Sequence, residues 1–115
     1  MDELSWTDAW IFASLGGGRA RGAAARADLI ARADMLNHAI PTDAEIAGAL
    51  RRLAARGLVA VRGKAIALTA LGRRVQADGL ARRGGLFSIV DNMHKALRSP
   101  KFAPARAPAR KSAKR

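Results

Sequence analysis

The sequence contains no cysteine and only two histidines, His38 and His94. Without thiols there is no disulfide staple and no thiolate metal site, and two isolated imidazoles do not make a ligand cluster, so neither a metal nor another cofactor is expected. Long apolar runs are missing too. None approaches the roughly 18 residues that span a bilayer, and the start Met1-Asp2-Glu3 carries acid where a secretory leader carries positive charge. The expected setting is cytoplasmic, with no membrane partner. Acid is scarce throughout, 9 Asp and Glu against 21 Lys and Arg, which leaves a formal net charge of +12 at pH 7. Such an excess favours association with polyanions.

Half of the residues are hydrophobic, but much of that share is alanine, so a core has to be assembled from few large side chains. Trp6, Trp10, Ile11, Phe12, Leu15, Leu29, Ile46, Leu50, Leu53, Leu58, Val59, Val61 and Ile66 are among them. The 115 residues suffice for one domain and leave no room for a second.

Ser5-Trp6-Thr7-Asp8 has the spacing of a capping box and predicts a helix from about Trp6 to Leu15, closed by Gly16-Gly17-Gly18. Gly16 to Gly22 reads as an arginine-bearing loop. Leu29, Ala33 and Leu36 recur at helical spacing and predict a second helix over about 24–37, stopped before Pro41. Thr42-Asp43-Ala44-Glu45 is a second capping box, directly ahead of Ile46, Leu50 and Leu53. Gly57 is expected to end that third helix in the left-handed conformation, with Leu58 folding back on Leu53 in a Schellman motif.

Beyond Gly57 the apolar period drops to two. Leu58 to Arg62 and Ala65 to Thr69, separated by Gly63-Lys64, predict a tight hairpin. Thr69 is placed to cap a fourth helix through Arg73 to Gln76, and Ser88 to Asp91 can start another that reaches about Leu97. Residues 99–115 space Pro100, Pro104 and Pro108 with alanine, lysine and arginine. Too little apolar surface is present there to offset the roughly 1–2 kcal/mol of backbone entropy per ordered residue. The expected organisation is a domain over 1–98 and a disordered basic tail over 99–115.

Ala49-Leu50-Arg51-Arg52-Leu53-Ala54-Ala55-Arg56-Gly57-Leu58-Val59 resembles the end of the recognition helix entering the first wing strand in bacterial winged helix-turn-helix regulators. Leu68-Thr69-Ala70-Leu71-Gly72-Arg73-Arg74 resembles the passage from the second wing strand to the next helix. The resemblance spans about residues 25–78. It implies a mainly α fold with a small β-hairpin: a three-helix core, a two-stranded wing and a C-terminal helix. It further implies that duplex DNA is the partner, with the third helix in the major groove and the wing on minor groove or phosphates. Position by position, Arg51, Arg52 and Arg56 fall on or beside the groove helix and Arg62 and Lys64 at the wing tip. Arg19 and Arg21 would add phosphate contacts from the glycine-rich loop, and a homodimer through the first and last helices is the arrangement such regulators commonly take.

Winding the third helix at about 100 degrees per residue turns Ile46, Leu50 and Leu53 inward and Ala44, Gly48, Arg51, Arg52 and Ala55 outward. The outward first turn carries no asparagine, glutamine or arginine to read base edges, and Asp43 and Glu45 flank it. A strip of small residues also suits close approach of a partner helix, so a protein-binding or dimerisation module stands as the alternative to DNA binding. The plainer readings of the basic residues are a solvated helix face and a polar hairpin turn. For the tail, Lys101, Arg106, Arg110, Lys111, Lys114 and Arg115 without one acid favour contact with a polyanion.

No catalytic site is expected. Ser88, Asp91 and His94 supply the residue types of a hydrolytic triad, but they crowd one short segment without an oxyanion site. The glycine run lacks the lysine-hydroxyl pair of a phosphate loop. Gly72 has no local reason to be glycine, and a close approach of the fourth helix to the hairpin is the explanation expected for it.

Overall fold

The computed structural model describes residues 3–15, 26–63, 65–85 and 88–102. Five helices and a two-stranded antiparallel hairpin follow one another as α1 (Trp6–Ala13), α2 (Arg26–Asn37), α3 (Asp43–Ala55), β1 (Val59–Arg62), β2 (Ala65–Leu68), α4 (Ala70–Ala81) and α5 (Ile89–Arg98). A 3-10 turn over Pro100–Phe102 closes the described chain. No helix among the described residues is long and apolar enough to cross a membrane.

Local chemistry sets most of the helix ends. Ser5 Oγ accepts from the Asp8 amide at 3.1 Å while the Asp8 carboxylate accepts from the Ser5 amide at 3.0 Å, so two of the orphan donors at the start of α1 are satisfied. Thr42 and Glu45 repeat that arrangement at α3. At the other end of α3, Gly57 takes φ +75°. Its amide donates to Ala54 O and the Leu58 amide to Leu53 O, which completes the expected Schellman motif. At the end of α2 the left-handed residue is His38, with φ +53° and its amide on Asp34 O.

The hairpin pairs Val59 with Leu68, Val61 with Ile66 and Arg62 with Ala65, and Gly63 follows β1 with φ +57°. Thr69 then caps α4 by accepting from the Gly72 amide, and its hydroxyl donates to Gly57 O, tying the end of α3 to the start of α4. Gly72 is where α4 meets the hairpin. A Cβ built there would lie 2.0 Å from Leu58 O, so only glycine lets this backbone pass.

The core is organised around α1, which packs against α2, α3 and α5, while α4 packs against α5. Asp8 to Phe12 form a continuous buried stretch, as expected of a helix surrounded on all sides. Trp10 lies in the core with its indole N–H on Ala33 O, whereas Trp6 is partly exposed and donates to Asp91 at 2.8 Å. Gln76, buried on α4, donates to Phe12 O and Leu15 O and so caps the far end of α1 from another helix.

The stretch that composition groups with the tail begins in order. Phe102 packs against the core, and Lys101 lies 3.7 Å from Asp78 on α4. His94 and Asp91 serve packing as well, His94 contacting Leu4 O at 3.2 Å and Asp91 accepting from Trp6.

Candidate nucleic-acid interface

The outer face of α3 and the adjoining hairpin hold the candidate residues that the structure describes there. Capping at Thr42 and burial of Ile46, Ala49, Leu50 and Leu53 fix how α3 is rotated in the fold. Its exposed residues are Asp43, Ala44, Ala47, Arg51, Ala54 and Ala55.

That set differs from the one expected from helical winding. Gly48 is buried, and Arg52 turns toward α1. The Arg52 guanidinium donates from Nε and Nη2 to the two carboxylate oxygens of Asp8, both at 2.8 Å. It lies over Gly48, where a Cβ would stand 3.0 Å from Nη2. A side chain at 48 would therefore crowd the ion pair, and Arg52 is not an outward contact. Burial of Asp8 works against its charged form, but hydrogen bonds and charge from Arg52, with the Ser5 bonds, outweigh it and hold the carboxyl below the usual range.

Arg51 is exposed and makes no ion pair or hydrogen bond among the described residues. Arg62, at the end of β1, is exposed in the same way. Arg56 is half-buried at the C-cap of α3, its amide turned back on Arg52 O and Leu53 O. Lys101 sits apart, near Asp78. Arg19, Arg21, Lys64, Arg106, Arg110, Lys111, Lys114 and Arg115 lie outside the described residues.

The two acids that flank the start of α3 are both engaged locally. Asp43 pairs with Arg26 at 2.7 Å, and Glu45 accepts from the Thr42 amide. Asp43 nevertheless stays 95% exposed, so only its pairing with Arg26 offsets its charge, and the amide bond orients Glu45 without neutralising it.

A groove that pattern reading did not anticipate runs between α3 and the hairpin. Leu50, Ala54, Val61 and Ile66 line it, with Arg51 and Arg26 among its walls, and it is a half-open space of about 790 Å³. The signal was present in part, since Val61 and Ile66 are register partners and so share a hairpin face. Their separation from α3 is a tertiary quantity. Among the described residues no group of His, Asp and Glu is arranged to hold a metal ion.

No protein-family model, curated protein or solved structure matches this chain.

Proposed function

We propose that this chain is a DNA-binding protein of the winged-helix type, with α3 as the docking helix and the β1–β2 hairpin as the wing. The observation that carries the reading is the pair Arg51 and Arg62. Both are exposed and unpaired among the described residues, one on α3 and one on the adjoining strand, in a chain of net charge +12.

The chemistry of that face favours the phosphate backbone over base edges. Alanines at 44, 47, 54 and 55 have no hydrogen-bonding group for a base, and a single arginine discriminates at one position at most. The helix docks, the wing flanks it, and the C-terminal basic residues add counterion-releasing contacts that are indifferent to sequence. A role in transcriptional regulation would then come from architecture or from a partner rather than from a long operator.

Fluorescence anisotropy with several labelled duplexes of unrelated sequence, at two salt concentrations, tests this. The expected result is similar affinity for each duplex and a log–log salt slope of about −0.9 per phosphate contacted. Binding that is absent in low salt, or that survives unchanged when salt is raised, overturns it. Loss of all binding on deleting 103–115 alone removes the folded domain from the interface and leaves the protein-interaction alternative.

A further inference from the structure

The interior of the groove between α3 and the hairpin is apolar, which leaves phosphate contacts to the arginines on its rim. Val59, Val61, Ile66 and Leu68 occupy one face of the hairpin, because side chains alternate along a strand and these positions are cross-strand partners. Val59 and Ile66 are buried. Val61 stays 45% exposed, facing the space bounded by Leu50 and Ala54 of α3. Apolar walls of this kind gain free energy by losing water, which a hydrated phosphate does not provide.

The charged groups on the groove are few and differ in state. Arg26 is engaged by Asp43, whereas Arg51 has no partner among the described residues. A guanidinium beside an apolar slot selects a carboxylate or sulfonate carried on a hydrocarbon body, since the planar fork accepts two anionic oxygens at once. The groove is half open, and its volume of about 790 Å³ lies within the range of small-molecule sites. A second copy of the chain is a poor occupant, because two molecules of net charge +12 repel.

We infer that this groove binds a small amphiphilic organic anion, its apolar body between Leu50, Ala54, Val61 and Ile66 and its acid group on Arg51. The site does not depend on DNA binding. A chain that takes the anion and ignores DNA keeps this inference and loses the other reading.

The test uses two fluorescent probes of nearly equal shape on the full chain: anilinonaphthalenesulfonate, which carries the anion, and phenylnaphthylamine, which does not. One molecule of each is expected per chain. Arg51→Met should weaken the sulfonate about tenfold and leave the uncharged probe within about twofold, while Arg74→Met, the same charge change on exposed α4, alters neither. Val61→Glu should weaken both probes, and Leu80→Glu, an equal charge change at another exposed apolar residue, neither. Ala54→Glu, also on the exposed stripe, provides a second block should Val61→Glu lose its circular-dichroism signature. Decanoate should displace the sulfonate.

Equal loss of both probes in Arg51→Met overturns the inference, as does their persistence in folded Val61→Glu or Ala54→Glu. Displacement by an acidic amphipathic peptide but not by decanoate overturns it too, assigning the groove to a protein segment.

Discussion

The guanidinium of Arg52 grips the carboxylate of Asp8 across the α1–α3 contact, 44 residues apart in sequence, through two parallel hydrogen bonds. The Asp8 side chain is fully buried, while that of Arg52 remains 32% exposed. This pair joins the central helix to α3 and turns the Arg52 guanidinium toward Asp8.

Replacing Arg52 by Met should strand the Asp8 charge in the interior. Removing one partner of a buried pair costs about 3–5 kcal/mol, here toward the low end because Arg52 is partly solvated. Urea unfolding followed by circular dichroism measures the loss. If Arg52 were an ordinary surface arginine, the midpoint would barely move.

The same pair predicts a pH dependence. Asp8 is held below the ordinary carboxylate range in the folded state, so its contribution is fully present above about pH 3.9, the unfolded value, and is lost as pH falls through the lower folded value. In Arg52→Met the burial term is no longer opposed by the guanidinium, and protonating Asp8 relieves it. The stability gap between wild type and Arg52→Met should therefore narrow as pH falls from 5 toward 2. A constant gap over that range would show that Asp8 does not titrate with folding.

Three glycines should respond to alanine in a definite order. Gly72→Ala puts a methyl 2.0 Å from a backbone oxygen that cannot swing aside, and overpacking of this kind costs about 3 kcal/mol or more. Gly79→Ala meets Met93 Sδ at 2.6 Å and Met93 Cα at 3.1 Å, so part of the strain is relieved by a flexible side chain and about 2 kcal/mol is expected. Gly57→Ala meets no atom within 4 Å but must hold φ +75°, at about 1–2 kcal/mol. Thermal melts of the three variants rank them.

Should the chain bind duplex DNA as proposed, Arg51→Ala and Arg62→Ala should each reduce the log–log salt slope by about 0.9 and weaken all duplexes alike. Arg52→Met, compared under conditions where it is folded, should leave that slope unchanged. A reduction there as large as for Arg51 would place Arg52 on the DNA after all.

Much of the fold was legible in the sequence because the rules that set it are local. The capping boxes at Ser5 and Thr42, the left-handed turn at Gly57 and the two-residue break at Gly63-Lys64 involve residues a few positions apart, and each governs a helix end or hairpin where it was expected. The docking face was legible only in part. Arg51 is exposed as winding implies and Arg62 as its place at the wing tip implies, but Arg51 and its neighbour Arg52 sit about 100 degrees apart on one helix, and nothing within α3 says which the rest of the molecule will cover.

Tertiary structure decided that question, through Asp8. Its place as the third residue of α1 is a matter of local capping, yet its free valence points across to α3 and takes Arg52 with it. The same holds for Gly72, whose need for a bare Cα comes from Leu58 O in the connection between α3 and β1, and for the groove, whose walls belong to α2, α3 and the hairpin together. Spacing along a chain encodes helix ends and turns because hydrogen bonds there close over three or four residues. Side-chain pairing across elements depends on distances that exist only after the chain has packed.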